Sequence, residues 1–181
     1  MRGGPPLRHH ESVPTVDVEI RPATLSDFEA MVDLDQASAE HHAAIDPAAW
    51  EVPDRAGSAD FLRRRQAEDP SRQTLLATVD GRVVGMVEIA IVLTGVAGGA
   101  LQRIRSADLG IVVLPEWRGQ GIGERLMEAA EAWARDHGAE RMILDLSAAN
   151  DGARRFYERL GYEVYGLQMR RSLGGDKGRV E

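Results

Sequence analysis

Arg118 is followed by glycines at positions 119, 121 and 123, and this stretch is the part of the chain best suited to bind a ligand. Glycine adopts backbone dihedrals that other residues avoid, and it lets a bulky anion approach the main chain. The amphipathic pattern from Gly121 to His137 predicts a helix, whose first N–H groups are unpaired and attract negative charge. A diphosphate is the expected ligand, with Arg118 adding positive charge, and the alternative is a glycine-rich turn that binds nothing.

The spacing of these glycines excludes two well-known phosphate-binding loops. The dinucleotide fingerprint needs its third glycine one position later than Gly123, and the P-loop needs a Gly-Lys-Ser/Thr sequence that is absent here. The identity of the ligand therefore has to come from a second motif.

That second motif lies about thirty residues further along the chain, in Asn150, Ala153, Phe156-Tyr157 and Leu160-Gly161-Tyr162. Together with Pro115, Arg118, Gly121 and Gly123, it resembles the GNAT superfamily of N-acetyltransferases, strongly over residues 83–165 and weakly over 16–32. The resemblance implies an enzyme that transfers an acetyl group from acetyl-CoA to a primary amine by direct attack. It also implies a homodimer, with acetyl-CoA as co-substrate and no metal.

The resemblance also assigns residues to the cofactor. The loop would wrap the CoA pyrophosphate, and the strand before it would pair with the pantetheine arm through an edge opened by two splayed strands. Asn150 would hydrogen-bond the same arm, although its position before Asp151 equally fits a helix N-cap. The predicted cofactor-binding residues are Ile111, Val112, Val113, Arg118, Gly119, Gln120, Gly121, Ile122, Gly123, Asn150 and Tyr157.

Tyr157 is the candidate general acid for the departing thiolate. A phenol has a pKa of about 10, so it is protonated at neutral pH and can give its proton to sulfur. The resemblance gives the tyrosine at this position the same role. The alternative is a packing role beside Phe156.

The general base, which an amine with a pKa of about 10.4 requires at neutral pH, has three carboxylate candidates. Asp145 stands where the family pattern places a glutamate, on the strand before Asn150, and it faces either the cleft or solvent. Glu88 and Asp108 lie within apolar strand sequences, which favour a raised pKa. Each also fits an exposed strand position.

Composition limits the class of protein. A chain of 181 residues without cysteine has no disulfide, thiolate metal site or cysteine nucleophile, and its net charge of −7 argues against nucleic-acid binding. No run of apolar residues suits a signal peptide or a membrane span, so a cytoplasmic location is expected. We predict tails at 1–15 and 174–181 and a single acetyltransferase domain at 16–173.

The predicted elements follow the order β-α-α-β-β-β-α-β-α-β. Strands are predicted at 16–21, 74–79, 83–92, 106–114, 141–146 and 162–169, and helices after Pro22, at 58–68, 121–137 and 151–160. A break is predicted at 37–53, and Gly-rich residues at 94–100 predict a loop. The pattern predicts an α/β (α+β) domain, GNAT-like, with a mixed, largely antiparallel six- to seven-stranded sheet, flanking helices and splayed central strands.

The acceptor is the part of the function that the sequence specifies least. His41, His42 and Asp46 invite a metal interpretation, but no third ligand at helical spacing supports it, and a substrate-side loop with Trp50 and Phe61 is the better interpretation. A small amine and a peptide or protein N-terminus both remain as acceptors. The rival function is a non-catalytic acyl-CoA-binding regulatory module.

Overall fold

The computed structural model describes residues 16–95 and 99–171, which contain five strands and four α-helices. The predicted tails and residues 96–98 of the predicted loop lie outside these residues. The chain divides into two units, one through Asp145 and one from Leu146 onward. The elements are β1 (Glu19–Pro22), α1 (Phe28–Ile45), α2 (Arg55–Glu68), β2 (Gln73–Val79), β3 (Arg82–Thr94), β4 (Ile104–Val113), α3 (Ile122–Asp136), β5 (Arg141–Ile143) and α4 (Asp151–Arg159).

The strands form one sheet in the order β1-β2-β3-β4-β5. The first three pairings are antiparallel and the β4–β5 pairing is parallel. Asp80 and Gly81, both at positive φ, form the tight turn between β2 and β3, as the sequence predicts. The parallel pair needs a crossover, which α3 supplies. The predicted mixed, largely antiparallel α/β fold is confirmed.

The sheet opens between its last two strands. Pairing of β4 with β5 stops at Asp108 and Ile143, whereas β4 continues to Val113. No strand in the described residues pairs with this edge of β4 from Leu109 to Val113. The strands thus separate at Asp108, and the separation leaves backbone groups of β4 available to a ligand.

The core lies on both faces of the sheet. On one face, Leu34 of α1 packs in a buried cluster with Leu76, Met86 and Val112. The opposite face carries α3, which approaches β3 so closely at Gly85 that a Cβ there would lie 3.2 Å from the Leu126 side chain. The two faces therefore hold different elements: α1 on the first and α3 on the second.

Three predicted elements differ from the structure. The strand predicted at 141–146 ends at Ile143, so Asp145 lies beyond the strand on which it was predicted. Helix α1 continues through His41 and His42, where a break was expected, because residues 37–45 contain no glycine or proline and the first proline comes at Pro47. The predicted last strand at 162–169 is wrong, and with it the count of six to seven strands, since the described residues contain five. Alternation alone does not make a strand without a neighbour to pair with, and the apolar side chains here are exposed, from Val164 to Met169.

Substituting Leu126 by alanine should destabilise the fold by about 2–5 kcal/mol, because Leu126 is fully buried and its removal leaves a cavity between α3 and the sheet. Urea unfolding followed by circular dichroism measures the change. Leu25→Ala is the control, because Leu25 is 98% exposed and should change stability by less than about 0.5 kcal/mol. Equal stability of the two variants would contradict this packing.

Candidate functional site

The glycine loop has the conformation that an anion-binding helix start needs. Gly119 and Gly121 have φ of +75° and +80°, and a Cβ at either position would meet no atom within 4 Å. Gly121 is the N-cap of α3, and no side chain caps this end. The N–H groups of Ile122 and Gly123 thus begin the helix without a side-chain cap, beside an open space where an anion can reach them.

Arg118 holds this loop to the strand that precedes it, and Gln120 bonds within the loop. Arg118 Nε donates to the Val113 carbonyl at 3.0 Å, and Gln120 Nε2 donates to the Glu116 carbonyl at 3.2 Å. Arg118 is exposed, so its guanidinium retains donors that face solvent. The loop residues are thus both anchored and accessible.

The predicted pantetheine-binding strand residues lie on the open edge of β4. Ile111, Val112 and Val113 pair with β3 on one side only. Val112 and, in the loop, Ile122 turn buried side chains into the core, so they can meet a ligand only through their backbone. The Val113 carbonyl already accepts a hydrogen bond from Arg118. A ligand on this edge would therefore meet less competition at the backbone groups of Ile111 and Val112.

Glu88 and Asp108 lie on one face of the sheet beside an open position. Glu88 is directly opposite Gly110, and Asp108 is two residues before Gly110 on the same strand, so all three share a face. A Cβ at Gly110 would meet nothing within 4 Å. This glycine therefore leaves a space flanked by two carboxylates, next to the point where β4 and β5 separate.

Both carboxylates have raised pKa values. Burial raises the pKa of Glu88, which is 8% exposed, while Arg65 and Arg72 oppose the rise and Asp35 adds to it. Burial also raises the pKa of half-buried Asp108, with Arg72 opposing the rise. Raised carboxylate pKa values in a concave region are typical of acid–base sites.

The two carboxylates differ in their ion pairs. Arg65 Nη1 lies 2.9 Å from Glu88 Oε2, whereas Asp108 has no ion pair within the described ranges. The third candidate, Asp145, is exposed, and its negative charge further raises the pKa of Asp108. The charge of Asp145 is thus close enough to act on Asp108, and the Asp145 side chain is more exposed than those of Asp108 and Glu88.

A shallow depression of ≈ 400 Å³ opens beside these groups. It is lined by Phe61, Arg64, Arg65, Glu68 and Arg72. Phe61, which the sequence analysis places on the acceptor side, is one of these residues, and its role in binding the acceptor stays a prediction. The arginines were missed by the sequence analysis, although a run of three arginines at 63–65 in an acidic chain was a usable signal. Gly110, an isolated glycine within a strand, was another.

The end of α1 approaches the glycine loop. The charge of Arg118 contributes to lowering the pKa of His41, after burial, which is the larger cause. His42 stacks on Trp50 with ring centroids 4.3 Å apart, and burial lowers its pKa. Both histidines are thus favoured in their neutral forms. Across residues 16–95 and 99–171, no cluster of three or more histidine or acidic side chains is arranged to hold a metal ion.

The second unit holds the remaining predicted residues. Asn150 is 6% exposed and is the N-cap of α4. Its side chain accepts a hydrogen bond from the Ala153 N–H at 3.0 Å. Tyr157 lies on α4 between Phe156 and Tyr162, with ring centroids 5.2 and 5.7 Å away. Burial raises the pKa of Tyr157 to about 12. The phenol is therefore a proton donor throughout the neutral range.

Helices of the described chain are too short or too polar to cross a membrane. The longest, α1, contains Glu29, Asp33, Asp35 and Glu40.

Comparison with known proteins identifies the family. A model described as the acetyltransferase (GNAT) family matches residues 31–162. The aminoalkylphosphonate N-acetyltransferase of Salmonella typhimurium is 34% identical over 105 residues, which are 58% of this chain and 66% of that protein. The match thus spans slightly less than two thirds of that relative's length.

Solved structures show the same fold. A mutant of the BH1408 protein from Bacillus halodurans superposes with a TM-score of 0.76 at 23% identity, covering 86% of this chain and 99% of that one. AAC(6')-Iy in complex with the bisubstrate analogue CoA-S-monomethyl-acetylneamine gives a TM-score of 0.64 at 21% identity, covering 88% and 99%. The matched family segment contains the glycine loop, the separated strands and Tyr157, and the protein belongs to the acetyltransferase (GNAT) family.

Proposed function

We propose that this protein is an N-acetyltransferase that moves the acetyl group of acetyl-CoA to a primary amine by direct attack, within one catalytic domain at 16–173. The observation that carries the proposal is the uncapped start of α3 with Gly119 and Gly121 at positive φ, beside the open edge of β4. These features fit the diphosphate and the extended arm of acetyl-CoA. The family and its named relatives support the same activity and give no support to a non-catalytic module.

Acetyl-CoA supplies an activated thioester, and the protein supplies positioning and proton transfer. Asp108 accepts a proton from the acceptor ammonium, directly or through a water, and leaves a neutral amine. The amine nitrogen then bonds to the acetyl carbon, the carbon–sulfur bond breaks, and the nitrogen gives its second proton to water, from which the tyrosinate left by Tyr157 is reprotonated. Tyr157 gives a proton to the departing sulfur, so the products are an amide and CoA thiol.

Asp108 is our choice among the three carboxylates. Glu88 is already paired with Arg65, so taking up a proton would weaken an ion pair. Asp145 is exposed, and it lies beyond the end of β5 at Ile143. Asp108 combines partial burial, a raised pKa and a position beside the space at Gly110. Glu88 is then a positioning residue that holds Arg65.

The activity is tested by thiol release from acetyl-CoA across a panel of small primary amines and of peptides with free N-termini. Release that depends on the acceptor, with an acetylated product seen by mass spectrometry, supports the proposal. Binding of CoA without turnover on any acceptor would support the non-catalytic alternative instead. A cytoplasmic location and a homodimer stay predictions of the same proposal.

Gly121→Val should weaken CoA binding by about tenfold to a hundredfold. A β-branched residue at φ +80° forces the loop out of shape and removes at least one N–H contact to the diphosphate, and a hydrogen bond to a charged group is worth about 1.5–3 kcal/mol. Isothermal titration with CoA measures the change. Gly138→Val is the matched control, because Gly138 has φ of +73° at the other end of the same helix. A similar loss in both variants would point to general unfolding.

The relatives indicate two kinds of acceptor. One is named for aminoalkylphosphonates, which carry an amine and an anion, and the other was solved with an analogue that joins CoA to acetylneamine. A small amine is the acceptor that we propose for this chain over a protein N-terminus, since both of these proteins are named for small-molecule acceptors.

A further inference from the structure

The depression beside the proposed acceptor site is locally positive on a protein that is acidic as a whole. Three arginines and one glutamate line it, whereas the chain carries a net charge of −7. Arg64 is exposed and Arg65 and Arg72 are partly buried, so the positive groups surround the cavity at different depths. Arg65 and Arg72 have acidic partners in Glu88 and Asp69, whereas Arg64 has no ion pair within the described residues, so Arg64 supplies the charge that is left to attract an anion.

Arg72 has hydrogen-bonding capacity that the protein does not use. Its side chain is 12% exposed, and its Nε and Nη1 atoms are buried without a hydrogen-bond partner among the described residues. Its nearest ion-pair partner is Asp69, with Nη2 and Oδ2 3.6 Å apart, which is beyond hydrogen-bond distance. The Nε and Nη1 atoms are buried beneath the surface, so an anion in the depression would interact with the charge of Arg72, which Asp69 balances only loosely at this distance.

The positive depression adjoins the proposed site of amine chemistry. Arg65 lines the depression and also pairs with Glu88, which lies opposite Gly110. Arg72 lowers the pKa of both Glu88 and Asp108, so its charge is close to both. An acceptor with its amine in the space over Gly110 would therefore have its other end among the arginines.

We propose that the acceptor is a small zwitterion, with a primary amine at one end and an oxyanion group, a carboxylate or phosphonate, at the other. Arg64 and Arg72 bind the oxyanion, and Glu88 fixes Arg65 between the oxyanion and the amine. A guanidinium matches the planar or tetrahedral oxygens of these groups and is charged at every relevant pH. The inference rests on the proposed acetyl transfer and narrows its substrate class, excluding polycationic amines as preferred acceptors.

The experiment compares acceptors that differ only at the end remote from the amine. Propylamine, β-alanine, 3-aminopropylphosphonate and diaminopropane are assayed for acetyl-CoA-dependent thiol release. We expect kcat/KM to be about tenfold to a hundredfold higher for the two anionic acceptors than for propylamine, as one charge-assisted hydrogen bond predicts. Arg64→Gln and Arg72→Gln should each raise KM for the anionic acceptors by a larger factor than KM for propylamine. Arg72→Gln should in addition raise the pKa of Asp108, which the charge of Arg72 lowers.

Arg63→Gln is the matched control. Arg63 lies on the same helix, but it pairs with Asp60 at 3.0 Å and lies over the Phe28 ring at 4.8 Å, and it does not line the depression. This variant should keep the wild-type preference. Because Arg64 is exposed, its variant tests the proposal even where the Arg72 variant is poorly folded.

A binding measurement separates failure of this inference from failure of the proposed function. Propylphosphonate, which has no amine, is titrated into wild-type protein with CoA bound, and binding that Arg64→Gln weakens supports the anion site whether or not any amine is turned over. Equal or better turnover of propylamine or diaminopropane, or no binding of propylphosphonate, would overturn the inference while leaving acetyl transfer intact. Absence of turnover on every amine would overturn the proposed function alone.

Discussion

Replacing Tyr157 by phenylalanine should lower kcat by about 10²- to 10⁴-fold while leaving the affinity for CoA nearly unchanged. The variant keeps the ring between Phe156 and Tyr162 and removes only the hydroxyl. Without a proton donor, the thiolate must leave as an anion, which raises the barrier to breakdown. Initial rates of thiol release give kcat, and titration with CoA gives the affinity.

The pH dependence of kcat provides a second test of Tyr157. A general acid acts in its protonated form, so its contribution is lost as the pH rises through its pKa, which is about 12 here. We therefore expect no loss of kcat assignable to this group between pH 7 and about pH 10, well below that pKa. Tyr165→Phe, in the same unit but 79% exposed, should keep full activity. If Tyr157→Phe retained wild-type kcat, the tyrosine would have only a packing role.

The elements with strong local signals were predicted well. The Asp80-Gly81 sequence predicts the hairpin, and the stripe of apolar residues predicts helix α3, because both elements depend mainly on residues that are close together in sequence. The strand predicted at 162–169 failed because strand formation depends on a partner, which alternation within one segment cannot supply. The break predicted near His41 failed because histidine is only a weak opponent of helix, and α1 packs on the sheet.

Some features of the site depend on residues that are close in sequence, and others depend on contacts between residues that are distant in sequence. The glycine loop was predictable because its function depends on backbone dihedrals within a few residues. The space at Gly110 depends on the register of β3 against β4, which places Glu88 opposite it. The unpaired donors of Arg72 depend on packing around α2, and no sequence motif encodes them. Residues distant in sequence thus define the acceptor side.

Asp108→Asn should lower kcat/KM by about 10²- to 10⁴-fold at neutral pH, because the amide cannot accept the proton of the acceptor ammonium. In the wild type, kcat/KM should fall as the pH drops through the pKa of Asp108, since a base acts when deprotonated. Burial and Asp145 raise that pKa, so the fall should occur above the ordinary aspartate range. The pH profile of kcat/KM for Asp108→Asn, measured from pH 5 upward, should lack this fall on the acidic side, the acidic limb.

The other two carboxylates give results that separate the candidates. Asp145→Asn removes a neighbouring negative charge, so the pKa of Asp108 should fall and the acidic limb should move to lower pH with little loss of maximal rate. Glu88→Gln frees Arg65 and should act mainly on KM for the acceptor. If Asp145→Asn or Glu88→Gln instead abolished turnover and Asp108→Asn did not, the base would be that residue, and the space at Gly110 would serve only to admit the acceptor.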